Sequence, residues 1–151
     1  MDNVLVYFDV IISPGENDED VLNTVSTGRM YMKNGDLYVV YNEMDEAMQE
    51  ECLSVLKIDD DGITLIKYNK AKEVCGRMEF FEGHTVDGYF GTANGYVDVA
   101  AETSRLKKDI TYEDGGTISI DYYISIEGVV KTRHLLNIEV KKEKDDEQKV
   151  C

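Results

Sequence analysis

Tryptophan is absent from this sequence, and proline, histidine and cysteine are scarce, with one, two and three residues respectively. The cysteines are odd in number and lie far apart, which argues against a disulfide framework or a zinc site and favours a reducing compartment. No apolar run approaches the roughly 18 residues of a membrane-spanning helix. The first residues also lack the basic and apolar regions of a signal peptide. We therefore expect a cytoplasmic protein.

Positive charge is scarce as well, because 16 basic residues accompany 31 acidic ones and leave a net charge of −15. So acidic a surface repels phosphate groups, and neither nucleic acid nor an anionic membrane is expected as a partner. A chain of 151 residues is long enough to bury one core. We place a single domain over residues 1–140 and a charged tail over residues 141–151.

Signatures of catalysis are also missing. We find no serine or cysteine accompanied by a base, no paired carboxylates and no glycine-rich phosphate loop. Asp60-Asp61-Gly62 resembles a fragment of a calcium loop, but the ligand spacing and the terminal glutamate of such a loop are absent, so turn chemistry explains it. The sequence predicts no metal and no cofactor, and it favours a protein that is not an enzyme.

What the chain does have is regular alternation of apolar and polar residues. In residues 116–126, isoleucine or tyrosine stands at every even position from Ile118 to Ile126, with mainly polar residues between them. Successive side chains of a strand point to opposite faces of the sheet, so this period predicts a strand with one face buried. The same pattern, interrupted by turn signals, recurs along most of the chain.

Two Asn-Gly pairs mark tight hairpins, because type I′ turns favour this dipeptide. The turns are predicted at Asn34-Gly35 and Asn94-Gly95. The pairs expected from them are Met32 with Leu37 and Gly28 with Tyr41 at the first turn, and Ala93 with Tyr96, Thr92 with Val97 and Phe90 with Val99 at the second.

Two segments depart from plain alternation. Residues 44–50 are helix formers with little β character and predict a short helix or an acidic loop. The long strand over residues 97–112 is predicted to bend near Lys107-Lys108. Together the alternating segments of the whole chain give eight to ten sequential antiparallel strands. Closing them into an up-and-down barrel removes the exposed edges of an open sheet, so we predict an all-β barrel, with a Greek-key sandwich as the alternative.

Short motifs occur in a characteristic order along the chain. They are Gly28, Tyr38-x-x-Tyr41-x-Glu43, Leu56-Lys57-Ile58, Met78-x-Phe80, Tyr89-x-x-Thr92-x-x-Gly95, Thr103 and Gly116-x-x-x-x-x-Tyr122. From about Val4 to Val140 this order resembles the YwiB-like family of uncharacterised bacterial proteins. The resemblance implies a calycin-type, lipocalin-like barrel, a fold whose members often bind apolar ligands. The chain departs from the family at Lys67-Tyr68-Asn69, where an Arg-x-Gly is expected, and at residues 92–95, where a Thr-Pro-Tyr-Gly turn is usual.

The last hairpin places the most interesting polar residues. A three-residue loop over 127–129 keeps the apolar faces aligned and sets Tyr122 opposite His134 and Ile124 opposite Thr132. His134 then faces the interior, where Tyr122 and Thr132 can satisfy it. We interpret the three as polar anchors for a ligand in an apolar cavity. A hydrogen-bonded core histidine without a ligand is the alternative.

Tyr41 and Glu43 end their strand near the barrel mouth and complete the set of candidate ligand-binding residues. A basic residue facing inward would pair with Glu43 and account for recognition of a carboxylate. Long basic side chains lying along the outer surface are the alternative. Four basic residues occur in otherwise apolar strands: Lys57, Lys67, Arg77 and Lys108.

Three kinds of function remain open. The first is binding of a small apolar molecule, with or without a carboxylate, inside the barrel. The second is a solid-core barrel that acts through its surface as an interaction module or homodimer, because tyrosines on the outer faces favour interfaces. An unrecognised hydrolase or isomerase is the third. The outward-facing tyrosines are Tyr31, Tyr38, Tyr89, Tyr96 and Tyr123.

Overall fold

A computed structural model describes residues 2–13, 20–45, 50–126 and 130–143 of the chain. Its elements are ten strands: β1 (Asp2–Ser13), β2 (Asp20–Lys33), β3 (Asp36–Asp45), β4 (Glu50–Ile58), β5 (Ile63–Tyr68), β6 (Val74–Phe80), β7 (Thr85–Thr92), β8 (Gly95–Thr111), β9 (Gly115–Ile126) and β10 (Val130–Lys142). Each strand pairs antiparallel with its neighbours in the chain, and β1 pairs with β10. The predicted all-β up-and-down barrel is therefore confirmed. These residues contain no helix that could cross a membrane.

Alternation builds the core as predicted. On β9 the side chains of Ile118, Ile120, Tyr122 and Ile124 are all buried. Their counterparts on the other strands face the same interior, so one apolar cluster runs through the barrel. The remaining buried apolar residues of this cluster are Val4, Val6, Met30, Leu37, Val39, Tyr41, Leu56, Ile58, Ile63, Phe80, Val99, Ala101, Ile138 and Val140.

The first and last predicted registers are confirmed. At the first turn Met32 pairs with Leu37 and Gly28 pairs with Tyr41. Asn34 and Gly35 have φ values of 54° and 85°, as a type I′ turn requires at both central residues. At the last hairpin Tyr122 lies opposite His134 and Ile124 lies opposite Thr132. The connecting residues 127–129 lie outside the described ranges.

The register predicted at the second Asn-Gly pair is wrong. Thr92 pairs with Gly95 and Phe90 pairs with Val97, so the central residues of the turn are Ala93 and Asn94. Gly95 has a positive φ but Asn94 does not, which excludes a type I′ turn at that pair,. The Thr92 hydroxyl instead holds the turn, because it accepts from the Asn94 amide and donates to the Gly95 carbonyl. The register moves by two residues, and the buried faces are preserved.

Three further expectations are corrected or only partly covered. The irregularity in β8 falls between Thr103 and Arg105 and not at the lysines further along. The segment expected as a helix or loop belongs to β3 and β4 at its two ends, and residues 46–49 lie outside the described part of the chain. The last strand continues past Val140 to Lys142, and the Glu143 amide donates to the Asn3 carbonyl. Residues 144–151 of the expected tail are not described.

The pairing between β2 and β3 covers only part of each strand. Within the described residues, β2 pairs with β1 along most of its length but with β3 only over residues 28–33. Gly28 is the first residue of β2 that pairs with β3. A Cβ there would lie 2.4 Å from the Val40 carbonyl oxygen, so only glycine allows this close approach. Residues 20–27 consequently present one strand edge that no described residue pairs with.

Candidate functional site

A cavity that is partly open to solvent extends into the barrel between its strands. It has a volume of about 270 Å³ and lies between β1 to β6 on one side and β9 and β10 on the other. Its wall is mainly apolar, and the polar groups are confined to Thr24, Glu43, Lys67 and the hydroxyls of Tyr41 and Tyr122. The apolar lining residues are Phe8, Val10, Leu22, Leu56, Leu65, Met78, Phe80, Ile120, Leu136 and Ile138.

Strand register brings the polar groups of three strands together. Tyr41 on β3 lies opposite Ser54 on β4, and Ser54 lies opposite Lys67 on β5. Directly opposite residues of an antiparallel pair share one face of the sheet. Glu43 stands two positions after Tyr41 on β3 and therefore points to the same face. The four side chains form one cluster, the β3–β5 polar cluster, at the cavity wall.

Glu43 is the acceptor at the centre of this cluster. The Lys67 ammonium nitrogen lies 2.8 Å from Glu43 Oε1. The Ser54 hydroxyl donates to the same oxygen at 2.8 Å. Ser54 is completely buried, whereas the two charged side chains each keep about 30% of their surface exposed. Lys67 thus pairs with Glu43, which is one of the two alternatives left open by the sequence, and its charge is balanced at the edge of an apolar space.

Tyr41 is a neutral hydroxyl group in this cluster. Burial raises the pKa of Tyr41 far above its ordinary value, and the neighbouring Glu43 carboxylate raises it further, against a smaller opposing effect of a hydrogen bond with Ser54. The hydroxyl is therefore protonated at any physiological pH. The Tyr41 ring packs against Phe8, with 4.8 Å between ring centroids.

Tyr122 forms the opposite part of the wall and is held by two rings. Phe80 meets it edge-on at a centroid distance of 4.8 Å, and the His134 imidazole stacks on it at 5.0 Å with 14° between the planes. Thr132 Oγ1 and His134 Nε2 share a hydrogen bond of 2.9 Å. Burial lowers the pKa of His134, so the imidazole is neutral at neutral pH.

The five candidate residues thus divide into two groups. Tyr41, Glu43 and Tyr122 line the cavity. His134 and Thr132 are joined to each other and lie behind Tyr122, and neither is among the described lining residues.

Three of the four basic candidates are engaged away from the cavity. The Lys57 ammonium lies 3.7 Å from Asp36, Arg77 is paired with Glu79, and the Lys108 ammonium donates to the Asp59 carbonyl. Lys67 alone of this set is among the lining residues described.

Two polar groups of the interior were not expected from the sequence. Ser54 had no signal of its own, although the registers of its two hairpins place it beside Tyr41 and Lys67. Thr103 lies opposite Tyr122 and is buried, and its hydroxyl finds no hydrogen-bond partner in the described part of the chain. It stands at the irregularity of β8, which a residue pattern does not locate.

Turn chemistry accounts for the acidic sequence 59–61. Asp59 Oδ1 accepts hydrogen bonds of 2.9 Å from the amides of both Asp61 and Gly62. Within the described ranges no group of histidine, cysteine, aspartate or glutamate side chains is arranged to hold a metal ion.

Comparisons with known proteins give a family and a fold. A protein-family model described as "Domain of unknown function (DUF1934)" matches residues 9–138. The crystal structure of the ywiB protein from Bacillus subtilis superposes with a TM-score of 0.81 at 17% sequence identity, covering 95% of this chain and 93% of that one. At this identity the likeness shows the fold alone. No curated protein matches the chain.

Proposed function

The chain belongs to the DUF1934 family of domains of unknown function, which confirms its predicted YwiB-like relationship, and we propose that it binds a small, mostly apolar molecule inside the barrel. One observation carries the proposal: an apolar cavity that meets a single balanced charge pair, Glu43 and Lys67. Binding sites for small molecules have this composition, with few polar groups that fix orientation in an apolar enclosure.

The size of the cavity limits the ligand. Its volume of about 270 Å³ is about nine times the roughly 30 Å³ that one water molecule occupies in the liquid. It lies just below the range of about 300–1,000 Å³ that is usual for small-molecule sites. A ligand of about ten non-hydrogen atoms would fill it.

The polar cluster defines which end of the ligand is polar. An apolar body fits between Leu56, Phe80 and Ile138, and a terminal polar group would reach Lys67 and the Tyr41 hydroxyl. Because Tyr41 is protonated, it can donate to an oxygen of the ligand. A carboxylate would share the Lys67 ammonium with Glu43. We therefore favour a medium-chain carboxylate over an uncharged alkane.

The aromatic wall supports a preformed site. Tyr122 is fixed between Phe80 and His134, and its neutral imidazole neighbour is held by Thr132. A ring held in this way does not have to be ordered when a ligand arrives, which lowers the entropic cost of binding. In this proposal His134 and Thr132 position Tyr122 and do not touch the ligand.

Octanoate and 1-octanol are suitable probes because each has about ten non-hydrogen atoms, and only octanoate carries a charge. Titration is followed by the methyl resonances of the cavity in NMR spectra and by calorimetry. Native mass spectrometry of freshly purified protein provides an independent measurement. We expect octanoate to shift the resonances of Leu56 and Ile138. We also expect Lys67→Met to weaken octanoate binding about tenfold, the effect of losing one charge-assisted hydrogen bond.

A matched control is Lys57→Met, since Lys57 pairs with Asp36 on the outer face of β4. It should leave octanoate binding unchanged, and Lys67→Met should leave octanol binding nearly unchanged. Absence of a copurified molecule, together with no shift of the cavity resonances by either probe at millimolar concentration, would refute the proposal. Equal effects of both lysine substitutions would refute the assignment of the polar end.

The finer description of the protein belongs to the same proposal. We infer a calycin-type barrel, a single domain over residues 1–140 and a cytoplasmic location. Cys75 supports the last inference, because it is a buried free thiol and a reducing compartment keeps thiols in that form. No nucleic acid, membrane, metal or cofactor enters the proposal.

A further inference from the structure

An unpaired strand edge on β2 provides the basis for a second proposal. Residues 20–27 pair with β1 on one side, and no described residue pairs with them on the other. An open edge presents a row of unsatisfied amides and carbonyls, and proteins usually protect it with charge, proline or a bulge. Asp20 is the one charged residue of this edge, and residues 21–28 contain neither proline nor any charged residue, although 31% of the chain is charged.

Apolar side chains accompany this edge. Val21, Leu22 and Val25 are exposed over 60%, 52% and 58% of their surfaces. Leu22 lines the cavity, so the odd-numbered Val21, Asn23 and Val25 point outward. An uncharged edge with exposed apolar side chains is a template for pairing with another strand.

We propose that β2 pairs antiparallel with β2 of a second copy of this chain, forming a two-fold dimer through a continuous sheet. The strand is self-complementary when Asn23 lies on the two-fold axis. Val21 then lies opposite the partner's Val25 on the outer face, and Leu22 lies opposite the partner's Thr24 on the inner face. An isologous contact of this kind closes after two copies.

The net charge of the chain distinguishes a second copy from a basic peptide as the partner of this edge. Each copy carries a net charge of −15, so two copies repel each other except where an uncharged surface meets an uncharged surface. Added salt screens that repulsion and should strengthen the dimer. A basic peptide on the same edge would be attracted by the acidic protein, and salt would weaken its binding. The salt dependence therefore has opposite signs for the two partners.

Position 23 permits a charge-exchange experiment. Sedimentation velocity of the full chain is measured from roughly 1 µM to 1 mM, a range that spans weak to moderate dimers. Asn23→Asp and Asn23→Lys each place two like charges opposite one another on the axis. Each should raise the dimer dissociation constant about tenfold or more. An equimolar mixture of the two variants places unlike charges opposite each other and should restore the dimer.

Asn94→Asp is the control, because it adds the same charge at an exposed turn on β7 and β8. Asp9 on β1 lies opposite Asn23, so the melting temperature of each variant is measured to establish that it is folded. The proposal is overturned by a wild-type chain that stays monomeric throughout the range. It is equally overturned by a dimer that neither Asn23 variant weakens, by a mixture that does not recover, or by a dimer that salt dissociates.

Discussion

Two glycines in one transverse row of the barrel should respond oppositely to the same substitution. The row runs from Gly28 through Tyr41, Ser54 and Lys67 to Gly76, each residue lying opposite the next on the neighbouring strand. Neither glycine has a positive φ. The backbone of both positions is therefore open to alanine, and only the space around a new Cβ differs.

The space around position 28 is already occupied by atoms of β3. A Cβ at position 28 would lie 2.4 Å from the Val40 carbonyl oxygen and 3.1 Å from the Tyr41 Cβ, and both belong to β3. The carbonyl cannot turn away without breaking the strand, so β3 has to retreat. Overpacking of this kind costs about 1–3 kcal/mol, and each pairing hydrogen bond that is lost adds about 1 kcal/mol. We expect Gly28→Ala to reduce the free energy of unfolding by about 2–4 kcal/mol.

The same atom at position 76 meets only ordinary contacts. Its nearest neighbours would be the Lys67 Cβ and the Tyr89 carbonyl oxygen, both at 3.6 Å. Replacing a glycine by alanine where the native backbone tolerates it stabilises by about 0.4–1 kcal/mol, because the unfolded chain loses freedom. Gly76→Ala should therefore be neutral or slightly stabilising.

Urea unfolding and thermal circular dichroism measure both effects. A domain of this size changes its melting temperature by about 2–4 °C per kcal/mol, which gives a decrease of about 4–16 °C for Gly28→Ala and an increase of up to about 4 °C for Gly76→Ala. Amide hydrogen exchange in β3 should accelerate in Gly28→Ala only. Equal destabilisation by both substitutions, or none at position 28, would contradict the close approach of β2 and β3.

Two further predictions concern the polar groups of the interior. In a double-mutant cycle, Lys67→Met and Glu43→Gln should each destabilise by about 1–2 kcal/mol and show a coupling energy of about 1 kcal/mol, because the pair is only partly screened by water; additive effects in urea unfolding would refute the contact. The pKa of His134 is lower in the folded state than in the unfolded chain. Below about pH 6.5 the unfolded state therefore binds more protons than the folded state, and the free energy of unfolding decreases as the pH falls. Melting temperatures between pH 5 and 8 should therefore show a steeper acid decline for the wild type than for His134→Asn.

Much of the fold follows from patterns that act between near neighbours in the chain. The alternation on β9 determines which face is buried, and the Asn34-Gly35 turn sets the register of β2 on β3. The second Asn-Gly pair shows the limit of such reasoning. Its sequence permits a type I′ turn, but the Thr92 hydroxyl stabilises a different turn around Ala93 and Asn94. A dipeptide preference is weaker than a side-chain hydrogen bond that competes with it.

The candidate site is less predictable because it depends on volume and on strand separation. Alternation predicts Tyr122 on the buried face, and the position of Tyr41 and Glu43 at the end of their strand predicts them near the barrel mouth; all three line the cavity. Whether a space remains between them depends on packing across the barrel, which no local pattern encodes. The half-buried position of His134 behind Tyr122, and not beside the cavity, likewise follows from ring stacking between β9 and β10.

The cavity and the unpaired edge meet on β2, which pairs with β3 only from Gly28 onward. Leu22 and Thr24 line the cavity and also belong to the edge, so a second copy paired there would cover one flank of the binding site. Binding and dimerisation are then thermodynamically linked, and each must change the affinity of the other by the same factor. Lys67 lies on β5, away from the edge. Lys67→Met should weaken the ligand without a direct effect on self-pairing, and Asn23→Asp should weaken self-pairing without removing any group that touches the ligand. Failure of one proposal is therefore distinguishable from failure of the other.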